Sequence, residues 1–172
     1  MNNVIEKPSH FSAGLFLHRR TDGSGLYDTI GVTKHRFPDG VQMPGGTNRR
    51  CLWEVPEMTL EREFAEETGY RPVSYNLLLS REFGDGGHTQ NFFVIKQAVG
   101  HFNGPRTFTE TDGEMVEVRI WELGEFHRHL CPTHRPAFLK ACQVLIRVDV
   151  SFRRNYPEIC DDVRAAEYRQ EF

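Results

Sequence analysis

Three glutamates lie close together in residues 62–70 (REFAEETGY). On a helix, Glu63, Glu66 and Glu67 occupy positions i, i+3 and i+4, within an arc of about 100°. Like charges at this spacing repel one another, and no lysine follows at helical spacing to offset them. Carboxylate oxygens are the ligands that hard divalent cations prefer, so the cluster predicts a site for Mg²⁺ or Mn²⁺. The alternative interpretation is an acidic surface helix that binds no ligand.

The flanking residues predict where this helix begins and ends. Pro56 suits the first helical turn, and Gly69 suits the position at which a helix stops. Leu60 and Phe64, at i and i+4, form an apolar edge that should face the core beside the acidic edge. Upstream, residues 43–46 (MPGG) predict a tight turn of the kind that brings backbone close to a ligand.

Together with Glu54, this segment resembles the signature of the Nudix hydrolases, G-x5-E-x7-R-E-U-x-E-E-x-G-U, in which U is bulky and apolar. From Glu54 to Tyr70 every fixed position of the signature is matched, with seven residues between Glu54 and Arg62. The resemblance covers roughly residues 11–147. It implies the family's architecture, an α/β/α sandwich in which a mixed β-sheet is flanked by helices.

One position departs from the signature. Its glycine would fall at Asn48, whereas the pair Gly45-Gly46 lies two residues too early. We interpret residues 47–53 as a loop that is two residues longer than in the family, carrying Arg49 and Arg50. The longer loop leaves the helix intact but changes the geometry around any carbonyl ligand.

The resemblance also implies a role for each matched residue. The metal ligands would be three carboxylates and a backbone carbonyl, namely Glu63, Glu66, Glu67 and either Gly45 or Gly46. Arg62 would brace the carboxylates and the loop, with Glu54 in support, because metal ligands need partners that fix their orientation. Cations among these carboxylates would neutralise a diphosphate and orient its phosphorus for in-line attack by water.

The general base in this family is often a glutamate further along the chain. Glu110 and Glu114, in the segment TFTETDGEM, are the candidates, and the alternative for each is a solvated loop carboxylate. His88 follows a GDGG turn and is a candidate for phosphate contact or proton transfer, although a lone loop histidine often does neither. The remaining predicted substrate contacts are Gly45, Gly46, Arg49 and Arg50.

Other residues suggest chemistry less directly. His127, His129, Cys131 and His134 crowd into one segment, but their spacing matches no common zinc pattern and favours a solvated helix end. Trp53 and Phe83 are expected to pack in the core or under a cover rather than stack on a base. Basic residues on or beside the first strands should mostly meet water, with one or two facing phosphates: Arg19, Arg20, Lys34, His35 and Arg36.

Composition limits the class of protein. The 172 residues suit one domain, 1–172, with a helical tail at 148–172 beyond the recognisable part, and a net charge of −3 disfavours a nucleic-acid coat. No signal peptide, 18-residue apolar span or CxxC pair is visible, so we expect a cytoplasmic protein without a disulfide framework.

Hydrophobic patterns predict strands at 11–18, 27–34, 41–43, 73–83, 89–99 and 115–121. Residues 103–113 are expected to form a loop. An apolar i, i+3, i+4, i+7 repeat predicts a helix after Pro136, and a last helix is expected at 157–169.

The predicted function is hydrolysis of the diphosphate linkage of a nucleoside diphosphate derivative. Residue patterns typical of the ADP-ribose, dinucleoside polyphosphate, coenzyme A and NADH subgroups are not visible, so the substrate is not specified further. Two alternatives stay open: a non-catalytic nucleotide-binding or regulatory module, and isomerase chemistry on isopentenyl diphosphate through Cys51. A small-molecule partner is expected, without a membrane or a stable nucleic-acid complex, and a homodimer stays open.

Overall fold

A computed structural model describes residues 9–49, 53–83, 87–110 and 113–172 of the chain. Within these ranges the strands are β1 (His10–Phe16), β2 (His18–Arg19), β3 (Tyr27–Lys34), β4 (Phe37–Gln42), β5 (Gly45–Thr47), β6 (Tyr70–Phe83), β7 (His88–Gly100), β8 (Arg106–Thr109) and β9 (Met115–Glu122). The helices are α1 (Pro56–Thr68), α2 (Leu123–His129), α3 (Arg135–Val148), α4 (Val150–Asn155) and α5 (Pro157–Arg169). No helix in the described ranges is long and apolar enough to span a membrane.

The strands form two sheets. The first has the order β5–β1–β7–β6 and is mixed, because β1 and β7 run parallel whereas the other neighbours are antiparallel. The second has the order β2–β3–β9–β8, with β4 paired to β3. Helix α1 packs on β1, β5 and β6, while α3 contacts β6 and β7. The predicted mixed sheet with flanking helices is therefore confirmed, with a second, antiparallel sheet beside it.

Two apolar clusters hold these layers together. The larger one joins the first sheet to the C-terminal helices, and Phe138, Phe152 and Ile159 are buried in it. The smaller one lies where α1 meets both sheets, and its buried residues include Phe64, Ile95 and Val118. Residues 148–172 thus contribute to the same core as β1.

Helix α1 begins and ends where the sequence predicts. Pro56 occupies the first turn, and Gly69 follows the helix in the left-handed conformation at φ 83°, where its N–H donates to the Ala65 carbonyl. The absence of a Cβ makes this conformation readily accessible to glycine. Leu60 and Phe64 are buried, which confirms the apolar edge, and buried Glu67 lies beside it on the helix.

The structure corrects three expectations about secondary structure. Gly45 and Gly46 belong to strand β5 instead of a tight turn, because their backbone pairs with β1. Part of the expected loop 103–113 is strand β8, which pairs with β9. Helices α2 and α4 were not predicted. They have only seven and six residues, which is too short to show a clear helical repeat of apolar residues.

Candidate active site

The predicted acidic edge of α1 faces a cleft of about 690 Å³ between the helix and the second sheet. Residues from β1, β3, β4, β5, α1 and β8 line it, together with the segments that follow β5 and β8. The lining residues are Phe11, Lys34, Gln42, Gly46, Thr47, Arg49, Arg62, Glu63, Glu66, Glu67, Phe108, Thr109, Glu110 and Glu114. The fold thus brings residues that are distant in sequence to the three glutamates.

Arg62 is a brace at one wall of the cleft. Its Nε and Nη2 donate to the two carboxylate oxygens of Glu54 at 2.7 and 2.9 Å, and Nη2 also donates to the Thr47 carbonyl at 3.2 Å. Nη1 donates to Glu63 at 2.5 Å and reaches Glu66 at 3.4 Å. The bidentate bond from Arg62 lowers the pKa of Glu54 to about 2 despite partial burial. Glu54 is therefore ionised, and both of its carboxylate oxygens accept hydrogen bonds from Arg62.

Strand β5 passes very close to the acidic edge of the helix. A Cβ on Gly46 would overlap the carboxylate of Glu63, and a Cβ on Gly45 would overlap the Ser12 backbone. At Gly45 the neighbour is backbone, so only glycine permits the approach, whereas a side chain at position 46 would displace the Glu63 carboxylate. The prediction that residues 43–46 bring backbone close to the acidic helix is therefore confirmed, although Gly45 and Gly46 lie in a strand and not in a turn. Asn48, at the departing position, continues the pairing through two hydrogen bonds with the His10 backbone.

Glu67 is the most buried of the three clustered carboxylates, with 2% of its surface exposed. Its Oε2 accepts a hydrogen bond from the Gly45 N–H at 2.7 Å. Its Oε1 is buried and has no hydrogen-bond partner. Burial raises the pKa of Glu67 to about 8, against the opposing effects of Lys34 and the Gly45 N–H.

Lys34 approaches Glu67 from strand β3. Its Nζ lies 3.9 Å from Glu67 Oε1 and donates to Glu110 Oε1 at 3.0 Å. Glu114 is buried beside this pair and accepts the Arg36 N–H at 2.9 Å. Both candidates for the general base thus lie in the cleft wall, and neither is a freely solvated loop carboxylate. Their catalytic role stays a prediction.

Basic side chains from other elements meet the clustered glutamates. Arg49 Nη2 lies 2.9 Å from Glu66 Oε1, and both side chains are half exposed. With Arg62 on Glu63 and Lys34 near Glu67, each clustered glutamate has a basic neighbour. The observation that no lysine follows at helical spacing holds, but the clustered carboxylates are not left without basic neighbours. The cations come from β3, from the segment after β5 and from within the signature itself.

Among the described residues, no group of three His, Cys, Asp or Glu side chains is close enough to hold a metal ion. The donor chemistry nevertheless fits a hard divalent cation, because the available donors are carboxylate oxygens and one of them, Glu67 Oε1, is buried without a partner. Glu63, Glu66 and Glu67, with a carbonyl of Gly45 or Gly46, remain the predicted ligands.

Some predicted site residues lie elsewhere. Glu54 and Gly45 are not among the residues that line the cleft, but they hydrogen-bond to Arg62 and Glu67, which do line it. His88 is not among the residues that line the cleft, and its Nδ1 lies 2.9 Å from Ser9 Oγ. Arg50, Cys51 and the glycine turn at 84–86 fall outside the described residues.

The histidine and cysteine segment forms separate contacts and no common site. His127 Nε2 lies 2.8 Å from Asp162, and His134 Nδ1 accepts the Met43 N–H at 3.0 Å. Both histidines are buried, so the prediction of a solvated helix end is wrong for them and holds for exposed His129. Trp53 and Phe83 are 67% and 50% exposed, which contradicts the expectation that they pack in the core.

Five residues that line the cleft were not predicted as site residues: Phe11, Gln42, Thr47, Phe108 and Thr109. Phe108 lies in the short strand β8, where the guanidinium of Arg106 stacks 4.6 Å from its ring centre. The β-branched and aromatic residues of the segment 106–109 (RTFT) were the available signal for a strand. The glycine and proline at 104 and 105 and the glycine at 113 favoured a loop, so the strand was not predicted.

No protein-family model and no curated protein sequence matches the chain. Solved structures do match its fold. The MutT NUDIX hydrolase from Burkholderia pseudomallei is 17% identical with a TM-score of 0.57, covering 78% of this chain and 98% of its own. The ORF135 protein of E. coli is 15% identical with a TM-score of 0.59, at 84% and 95% coverage. The NUDIX domain of Shewanella oneidensis NrtR, solved in complex with ADP ribose, is 17% identical with a TM-score of 0.57, at 79% and 87% coverage. The chain therefore has the Nudix fold.

Proposed function

We propose that the protein is a divalent-metal-dependent hydrolase that cleaves the diphosphate linkage of a nucleoside diphosphate derivative. One observation carries the proposal: Glu63, Glu66 and Glu67 converge on a single cleft, with Glu67 Oε1 buried and without a hydrogen-bond partner. The complete match from Glu54 to Tyr70 and the Nudix fold support the same reaction class.

Each part of the cleft has a proposed task. Glu63, Glu66 and Glu67 would hold Mg²⁺ or Mn²⁺, which when bound supplies charge neutralisation for the phosphates and a more acidic water. Arg62 would keep Glu63 in place through its bond to Glu54, which stays ionised because its pKa is so low. Glu110 or Glu114 would accept the proton from the attacking water.

The substrate would be a small molecule with a nucleoside at one end. A domain of the same fold has been solved with ADP ribose, which supports a nucleoside diphosphate derivative as the ligand. Phe11 and Phe108 offer apolar faces in the cleft, and Gln42 offers an amide that can recognise a polar edge. Arg49 would contact the phosphates at the half-exposed rim.

The second candidate is a nucleotide-binding module without catalysis. It is favoured by the ion pairs at the clustered carboxylates, since a cleft in which Lys34 and Arg49 stay in place could bind a nucleotide without hydrolysing it. A cytoplasmic location, which the sequence led us to expect, is a further proposal. A homodimer stays open.

A screen distinguishes the two candidates. The purified chain is incubated with a panel of nucleoside diphosphate derivatives and Mg²⁺ or Mn²⁺, and phosphate is measured after a coupled phosphatase has acted on the products. Hydrolysis of any member of the panel that depends on the metal supports the enzyme. Binding is measured by calorimetry on the same samples. If some members of the panel bind and none is hydrolysed, the result supports the nucleotide-binding module instead.

A further inference from the structure

The contacts of Lys34 set it apart from the other basic residues of the cleft. Its side chain is 14% exposed, and its ammonium reaches Glu110 at 3.0 Å and Glu67 at 3.9 Å. Arg49, by contrast, pairs with Glu66 where both side chains are 50% exposed. Water screens the Arg49 pair strongly, whereas the Lys34 pairs lie in a region where charges interact at much higher effective strength.

The ammonium also lies beside the one clustered oxygen that has no hydrogen-bond partner. Glu67 Oε1 is buried, and Lys34 is its nearest described cation, although 3.9 Å is too long for a hydrogen bond. Burial alone would lower the pKa of Lys34, but Glu67 and Glu110 outweigh it and the pKa is raised. Lys34 is therefore charged at neutral pH, and its ammonium lies beside Glu67 Oε1 without a hydrogen bond to it.

We propose that the Lys34 ammonium competes with the divalent cation for Glu67, so that Lys34 sets the affinity of the cleft for the metal ion. Both cations are attracted to the Glu67 carboxylate, and two positive charges at contact distance repel strongly in a partly buried site. Metal loading then releases Lys34 towards the space where a phosphate group would lie. This inference rests on the proposed metal-dependent function.

The test compares Mn²⁺ affinity across variants, measured by electron paramagnetic resonance without substrate. K34Q removes the competing charge and should tighten Mn²⁺ binding by about 10-fold, given the strength of charge interactions at this distance. K34R retains the charge and should restore an affinity within about 3-fold of the wild type. K96Q is the matched control, because exposed Lys96 is not among the residues that line the cleft, and it should change affinity less than about 3-fold.

The outcomes separate this inference from the proposed function. Equal Mn²⁺ affinity in wild type and K34Q, or weaker binding in K34Q, overturns the competition while leaving metal dependence intact. Binding by K34Q alone supports the competition. If neither wild type nor K34Q binds Mn²⁺, both proposals fail.

A measurement on the wild-type chain avoids any effect of the substitution on folding. Lys34 and exposed Lys96 are acetylated with acetic anhydride at a fixed pH, with and without Mg²⁺, and the modified peptides are quantified by mass spectrometry. Competition predicts that Mg²⁺ increases the rate at Lys34 several-fold relative to Lys96, because the amine leaves its carboxylates. An unchanged or lower ratio would overturn the proposal.

Discussion

The two faces of the sheet β5–β1–β7–β6 each place a buried titratable side chain against the same short segment. From the α3 face, His134 Nδ1 accepts the N–H of Met43. From the α1 face, Glu67 Oε2 accepts the N–H of Gly45, two residues further along. Residues 43–45 are thus held from both sides by hydrogen bonds to side chains that lie far apart in the sequence.

The surroundings of the two side chains differ. The rings of Phe11 and Phe92 pack against His134 at 5.7 and 5.0 Å, and burial lowers its pKa to about 3, which keeps it neutral. Glu67 faces Lys34 and retains an oxygen without a hydrogen-bond partner. The buried His134 on the α3 face packs against aromatic rings, whereas the buried Glu67 on the α1 face keeps one carboxylate oxygen free of hydrogen bonds and available to a ligand. This difference is why we assign chemistry to the α1 face alone.

The largest expected effect is on stability and comes from the α3 face. Phe138 is fully buried and packs against Phe126 with ring centres 5.8 Å apart. F138A should lower the free energy of unfolding by about 3–5 kcal/mol, because it removes buried surface and leaves a cavity. Urea denaturation measures the loss, and turnover per folded molecule should stay unchanged. A selective loss of turnover in the folded fraction would mean that the two faces are not separate.

The next effect is on catalysis and comes from the α1 face. E67Q, and likewise E66Q, should lower kcat by at least ~10²-fold, or about 2.7 kcal/mol, because a ligand charge is lost while the fold is kept. The matched control is E61Q, on the same helix, where exposed Glu61 accepts a hydrogen bond from Tyr75 outside the cleft. Steady-state kinetics with circular dichroism tests both. Equal activity of E67Q and E61Q would remove the basis for the site.

A smaller effect concerns the pH dependence of stability, measured in EDTA. The pKa of His134 is lowered, so its contribution to stability is lost as pH falls below about 6.5 towards 3. The pKa of Glu67 is raised, so its contribution is lost as pH rises from about 4.5 through 8. Each limb has a slope of up to about 1.4 kcal/mol per pH unit.

Single substitutions separate the two limbs. H134Q should flatten the acid limb and E67Q the alkaline limb, each without changing the other, in urea denaturation series from pH 4 to 8. A limb that persists after its own substitution would show that another group produces it.

Local rules explain what the sequence predicts well. Pro56 and Gly69 bound helix α1, and the predicted ranges 27–34 and 157–169 coincide with β3 and α5. These features depend on residues within a few positions of one another. The signature from Glu54 to Tyr70 is likewise local, so it locates the acidic edge.

Contacts between distant residues explain what the sequence does not predict. Lys34 reaches Glu67 because β3 and α1 meet across the smaller apolar cluster, and no helical spacing encodes that contact. The burial of His134 depends on Phe11 and Phe92, from β1 and β7. Strand β8 forms because β9 offers a partner, which overrides the turn residues around it.

The most direct test of the account is hydrolysis with and without metal. The chain is treated with EDTA, dialysed, and assayed on a nucleoside diphosphate derivative from the screen, first without divalent ion and then with Mg²⁺ restored. We expect the rate without metal to be at least ~10²-fold lower and to recover when Mg²⁺ is added. Full activity in EDTA would contradict the claim that the glutamates of helix α1 act through a bound divalent cation.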